Sequence, residues 1–424
     1  LKSKTHAGIV FLVRNEIWVV GVCLLASVAF TRLLPFAVGV ALLFWLLRWL
    51  AYRRLSRCTP LDWGVGLLAL MLPVTLWATP LPGTTLPQVL RLATGILFFY
   101  ALVNWAEDAR RLRWLVLGAA LVGLALALVA MVSVNWNDNK LNFIPEAFYE
   151  YFTHLFTDTI HPNVMAGYLV ILLPVIAAVL LFSWGQLPRG LRLGLTFTSL
   201  FILVILVLTK SRGAWMGFAA LLLLLVALRW RRGWLFLPVF LLAGVAVLVL
   251  VGSGPVLDAL ATNGSVTGAA GRVEIWSRAI YMIQDFPLSG IGMGAFGSLA
   301  DALYPFYLAA PGSIPHAHNI FLQVAVDLGI PGLIAWLAVF GLVTSCAWQV
   351  YRRGRNLQDA WIMALGAGFL ASQLALAVHG LTDAVTWGMV RPAPLVWGLW
   401  GLAVASGNLY AHPTSETPPT PVDL

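Results

Sequence analysis

The chain has 424 residues, 60% of them hydrophobic and 10% charged, with a mean hydropathy of +0.88 and a net charge of +9. A water-soluble globular protein carries about a quarter charged residues, so this composition is built for lipid and excludes an ordinary soluble enzyme. The positive balance does not indicate a nucleic-acid partner, because the basic residues sit in short clusters between apolar runs, as topology signals do.

In chain order, apolar runs of about 20 residues predict spans near 16–31, 33–50, 61–79, 86–105, 112–133, 163–182, 191–209, 213–229, 233–251, 318–350, 359–383 and 391–410. The runs are continuous rather than alternating, so the expected fold class is all-α, a polytopic membrane protein of about 12 transmembrane helices. The basic residues before the first run leave a cleavable leader open, but Pro35 and another apolar run follow at once, which favours a retained span. Only Thr31, Arg32 and Pro35 separate the first two spans. The run 318–350 is longer than one crossing needs, so it is expected to tilt or protrude. Cys23, Cys58 and Cys346 lie in or beside apolar runs, which implies neither a disulfide framework nor a cysteine metal site. No internal repeat is visible, which weakens an inverted-repeat transporter. The expected organisation is one transmembrane helical domain over 1–410 and a Pro/Thr-rich, disordered tail at 411–424.

Arginine sets the orientation. With twelve alternating spans, the clusters Arg53/Arg54/Arg57, Arg110/Arg111/Arg113, Arg189/Arg192, Arg229/Arg231/Arg232 and Arg352/Arg353/Arg355 fall on one side, together with Lys2, Lys4, Arg14 and Arg48. The positive-inside rule makes that side cytoplasmic, with both termini inside. The outer side then holds two long loops, about 134–162 and 252–317, the second between helices 9 and 10. It also holds the other basic residues: Arg32, Arg91, Lys140, Lys210, Arg212, Arg272, Arg278 and Arg391. These run against the topology rule and call for another reason.

Three stretches on that side can carry chemistry. Where the larger loop enters a span stands Pro315-His316-Ala317-His318-Asn319, with His318 expected in the first helical turn at the membrane surface. Such a histidine exchanges a proton near neutral pH, as a general base must; it can equally be a helix-start residue satisfied by backbone or lipid headgroup. His316 and His318 are a poor helical chelate, and no Asp, Glu or Cys stands beside them in sequence, so no metal site is expected. Asp327 lies nine residues on, on the opposite helix face about 13.5 Å away, and cannot orient His318.

The second stretch is Thr209-Lys210-Ser211-Arg212-Gly213, a short outer connector. Its cations either snorkel to lipid phosphates or clamp a diphosphate, which guanidinium binds bidentately. The third is Gly271-Arg272 through Arg278, where 272–283 is expected to form an amphipathic helix with Glu274 and Arg278 as an i,i+4 pair, leaving Arg272 for an anionic ligand. His161, in Ile160-His161-Pro162-Asn163, is a lesser candidate for the site rim. The run Gly290 to Gly297 lacks the strand-then-helix context of a phosphate loop and reads as flexible turns. A histidine and several arginines on one face suit transfer of a group from a membrane-bound diphosphate lipid, with arginines neutralising the leaving group.

The ordered blocks resemble the O-antigen ligase and O-antigen polymerase family. They are Thr209–Gly213 (TKSRG), Gly271-Arg272 through Trp276, Asp285 through Gly292 (DFPLSGIG), and His316-Ala317-His318-Asn319 through Gln323, continuing to Asp327-Leu328-Gly329. The resemblance implies a GT-C-type helical glycosyltransferase that moves a glycan from undecaprenyl diphosphate to a hydroxyl of lipid A-core oligosaccharide or another glycolipid. It places this reaction on the periplasmic face of the bacterial inner membrane, with inversion and without a metal or other cofactor. By motif, His318 is the base, Arg212 and Arg272 hold the diphosphate, Arg278 and Lys210 assist, and His316, Asn319 and His161 support. A polymerase or a protein O-glycosyltransferase would use the same donor machinery. A secondary transporter or flippase would instead place ionisable groups at midplane; Asp327, His379 and Asp383 are the exceptions to otherwise apolar helix middles. A lateral opening beside His318 is expected to admit the polyprenyl tail.

Overall fold

A computed structural model describes residues 2–134, 136, 160–230, 232–235, 238, 269–388 and 390–411. Every regular element among them is helical. Helix α1 (Lys2–Arg14) is followed by a π-helical turn, Ile17–Gly21, and α2 (Val22–Ala29); the two halves are bent by 48°. The first predicted span is therefore a bent pair beginning well before residue 16. Extended backbone at Phe30 then separates it from α3 (Leu34–Tyr52), so the first two segments are distinct.

The succession continues with α4 (Asp62–Ala78), α5 (Pro82–Trp105), α6 (Ala109–Ser133), α7 (Pro162–Ser183), α8 (Arg189–Leu208) and α9 (Arg212–Arg229). After it come α10 (Ala269–Asp285), α11 (Phe296–Leu303), α12 (Ile320–Leu357), α13 (Ala360–Gly380) and α14 (Pro394–Ser406). Among the described residues, eight helices are long and apolar enough to cross a membrane, or nine with the bent pair. At 17 residues, α4 is shorter than that. The predicted span 233–251 lies almost wholly outside the described residues, as do most of the loop 134–162, residues 252–268 and the tail beyond Ala411.

Helices α5, α7, α13 and α14 are buried over most of their surface, whereas α6, α8 and α9 bury one stripe each. At the centre α13 packs on α7, α9 and α12, while α14 lies against α5 and α12 against α4. The arginine-rich connectors share one end of the bundle. There Arg57 and Arg111 pair with Glu107 (3.2 and 2.7 Å), and Arg53, Arg113 and Arg192 stack on Trp49, Trp361 and Trp184.

At the opposite end α10 and α11 form a cap with its own small core of Ile275, Ala279, Met282, Phe296 and Ile314, seated on α12 through Val326. The seat is a break in α12. Gly329 has left-handed φ (71°), and Pro331 has no N–H to give the carbonyl of Asp327, which instead accepts from Thr75 Oγ1 (2.9 Å). The Val326 carbonyl accepts from Ile291 N, and Ile330 N donates to the Pro287 carbonyl (2.7 Å). The glycine run is thus a close-packed turn rather than a flexible one: at Gly290, φ +66°, a Cβ would stand 2.5 Å from the Asp327 backbone.

Candidate functional site

Four helix ends meet beneath this cap: the starts of α7, α9 and α12 and the end of α13. His318 does not occupy the first turn of α12. It precedes the helix in a left-handed conformation (φ 49°), and Asn319 is the N-cap, its Oδ1 accepting from Phe321 N and Leu322 N at 3.0 and 3.1 Å. The Asn319 amide also donates to the Leu381 carbonyl (3.2 Å), which ties the start of α12 to the end of α13.

That tie brings in the carboxylate missing from the local sequence. Asp383 Oδ1 lies 3.7 Å from His316 Nε2 and 3.9 Å from His318 Nδ1. The expectation that no acid accompanies the two histidines is corrected: the acid comes from another span's end, 65 residues downstream of His318. Asp383 was legible only as an ionisable residue closing an apolar run. Burial alone would raise its carboxyl, but the surrounding histidines and Arg272 hold it below the ordinary carboxylate range. Burial, then His316, pushes His318 down to about 3 against the pull of Asp383, and burial likewise lowers His316. The His318 ring is therefore neutral near pH 7.

Hydrogen bonding fixes one tautomer. His316 Nδ1 accepts from His318 N (3.1 Å), so its ring proton sits on Nε2 and faces Asp383. The ligand atoms of His316, His318 and Asp383 lie within 4.8 Å of one another, a spacing that a metal ion could use. A metal-bound histidine, however, presents its lone pair to the ion and donates its other N–H. His316 has the reverse arrangement, so the trio fits a charge-paired acid–base cluster better than a ligand set.

Arg272, on α10, donates from Nη1 to the His318 carbonyl (3.0 Å) and to the Thr382 carbonyl. Burial lowers its guanidinium, Asp383 supports the charge and nearby Arg212 opposes it. Half-buried Arg272 and exposed Arg212 thus stand close enough for their charges to act on each other. Arg212 opens α9, and Gly213 lets it approach, since a Cβ there would stand 2.0 Å from Thr382 Oγ1. Lys210 is exposed in the preceding turn with left-handed φ (51°). His161 caps α7 by accepting from Asn163 N and lies near enough to act electrostatically on both histidines.

Arg278 is engaged elsewhere. Its guanidinium meets Glu274 at 3.6 Å, donates to the Pro305 carbonyl (3.0 Å) and stacks near Tyr281 and Tyr307. The Glu274 carboxylate in turn accepts the backbone N–H groups of Tyr307 and Leu308. These contacts fasten the loop to the cap, on a face of α10 about 120° from Arg272.

A large apolar cavity of about 1400 Å³ lies among α5, α6, α8 and α14, with Arg110 and Arg111 among its lining residues. It belongs to the arginine-rich end and touches none of His318, Arg212 or Arg272. It is not the lateral opening expected beside His318.

Comparison with known proteins meets this site directly. Residues 197–337, which include Arg212, Arg272 and His318, match the family model described as O-antigen ligase. The chain is 27% identical over 331 residues to an O-antigen ligase of Pseudomonas aeruginosa, covering 76% of this chain and 73% of that protein. It is 31% identical over 145 residues to the exopolysaccharide production protein ExoQ of Rhizobium meliloti, which spans only 33% of each.

Proposed function

We propose that this chain, a member of the O-antigen ligase family through residues 197–337, is an inverting membrane glycosyltransferase acting on an undecaprenyl diphosphate-linked glycan. The acceptor is a hydroxyl of lipid A-core oligosaccharide or a related glycolipid. This reading takes the whole chain as one GT-C-type domain of about 12 spans in the bacterial inner membrane, with the termini cytoplasmic and the His318 end periplasmic. The positive-inside pattern supports that orientation.

Arg212 and Arg272, flanked by Lys210, receive the diphosphate. The acceptor oxygen attacks the anomeric carbon from the opposite side, and the bond to the diphosphate breaks with its electron pair leaving on the phosphate. The hydroxyl proton passes to His318 Nε2, while Asp383 faces Nδ1 and stabilises the imidazolium that forms. A buried, neutral His318 has its lone pair available, and an arriving diphosphate raises its basicity at the moment a proton must be taken. His316 and Asn319 hold the loop, and His161 lies at its rim. No metal is needed, since arginines supply the charge neutralisation.

The observation that carries the reading is the bond from Arg272 to the His318 carbonyl, which joins a phosphate-type cation and an acid-flanked base in one constellation. The test uses purified protein in detergent with an undecaprenyl diphosphate-linked glycan, a lipid A-core acceptor and EDTA. Glycan on the acceptor with wild type, and none with His318→Ala, is expected. The likeness to an exopolysaccharide production protein favours a second reading, in which the acceptor is another lipid-linked glycan. Lengthening of the donor glycan without transfer to lipid A-core would decide for that polymerase. Neither product would remove the enzymatic reading and leave transport.

A further inference from the structure

Among the buried acids that the mechanism above leaves unused, Glu16 pairs with Arg48, whereas Asp327 bonds no lysine or arginine among the described residues. Asp327 is fully buried in α12. Three N–H donors from three places converge on it instead. Oδ1 accepts from Gln323 Nε2 (2.9 Å) and Gly294 N (3.3 Å), and Oδ2 accepts from Trp387 Nε1 (2.8 Å).

Each donor leads to a different part of the site. Gln323 spends its other amide atom on the histidine loop, with Oε1 accepting from Ala317 N (2.7 Å), between His316 and His318. Trp387 belongs to the segment after α13, four residues past Asp383. Gly294 closes the glycine turn that follows the Arg272 helix, and the neighbouring Met293 N donates to Thr75 Oγ1, which itself donates to the Asp327 carbonyl. The break at Gly329 and Pro331 is what allows the turn to reach this residue.

From this convergence we infer that Asp327 is a positioning residue: its carboxylate ties the His318 loop, the Asp383 segment and the glycine turn to one point and so sets the His318–Asp383 separation. It touches neither reacting atom. A side chain that accepts three N–H bonds is needed here, and a carboxylate does this without an N–H of its own to misplace. The inference rests on the reading of His318 as the base.

Asp327→Asn places an NH₂ group against one of the three donors and loosens the knot. An ångström of misplacement at a catalytic group costs about 100-fold, so kcat should fall by that order while donor KM stays within about twofold, and Asp327→Glu should retain more activity than Asn. A purely structural role would lower activity as well, so the deciding measurement follows His318 itself. Its modification rate by diethyl pyrocarbonate is read by mass spectrometry between about pH 5 and 8. The charged and titratable groups facing His318 are His316, Asp383, Arg272 and His161, and burial is the largest influence on it. In wild type the rate should be flat over that range. In Asp327→Asn a loosened, wetter loop should bring a midpoint near the ordinary value of about 6.5.

A folded Asp327→Asn protein with wild-type kcat and a flat His318 profile would overturn the inference. If that variant does not fold, Trp387→Phe removes a single donor and should give the same rising midpoint; an unchanged profile there would overturn it too. A wild type with no transferase activity would sink the proposed function, while the His318 modification profile would still decide the positioning role.

Discussion

Asp383→Asn gives the sharpest test of the acid–base cluster. Asn is nearly isosteric and keeps the oxygen that accepts from Ala384 N (2.8 Å), so the loop should hold its shape. What is lost is a negative charge 3.9 Å from His318 Nδ1. At an effective dielectric of about 20, a charge pair at this distance attracts by about 4 kcal/mol. With the proton about half transferred in the transition state, about 2 kcal/mol of that is felt, or roughly 30-fold in kcat. Donor affinity should move the other way. Asp383 offsets the charge of Arg272, so its removal leaves that guanidinium more positive toward a diphosphate, and donor Kd should be unchanged or tighter. The assay pairs glycan-transfer kcat with donor binding on the same folded preparation. A loss of kcat below about threefold, or a weaker donor Kd, would refute the assignment of Asp383 to His318 rather than to Arg272.

Since His318 is held down to about 3, it is already unprotonated above that pH, and kcat/KM should show no acid limb as pH falls from about 8 to 5. A limb near 6.5 would mean that the free enzyme presents an ordinary, solvated histidine. Gly213→Ala should abolish donor binding by pushing the start of α9, and Arg212 with it, away from Thr382; calorimetry with the donor lipid would show it, and wild-type affinity would contradict the close approach. Arg278→Ala should lower the melting temperature by loosening the loop at Tyr307 while leaving donor Kd within about twofold. A large loss of affinity would place Arg278 among the diphosphate ligands after all.

Much of this protein was open to reading along the chain. Long apolar runs disclose helices because a bilayer allows few alternatives, since backbone groups must bond within the segment, and the clustered arginines gather at one end of the bundle. The same reading makes Arg212 and Arg272 stand out as cations apart from the other arginine clusters, and His318 as a polar residue at a span's edge. Local spacing also revealed the Glu274–Arg278 pair, because partners four residues apart on a helix are neighbours in space.

Tertiary structure alone decided the rest. Nothing near His318 in sequence announces Asp383, which arrives because α13 ends where α12 begins. Asn319, taken as a supporting site residue, proves to be the cap that displaces His318 from the helix, and this depends on backbone angles that composition does not reveal. The glycine run read as flexible turns becomes a rigid seat once Gly329 and Pro331 free carbonyls for it to meet. The sequence already sets Arg278 apart through Glu274, but that Arg278 also reaches the Pro305 carbonyl while Arg272 bonds the His318 carbonyl depends on the folded loops. A single chain segment records its own hydrophobicity and charge, so sequence determines which pieces form long apolar helices. Contacts between distant helix ends depend on how those pieces pack against one another, and only the folded bundle states them.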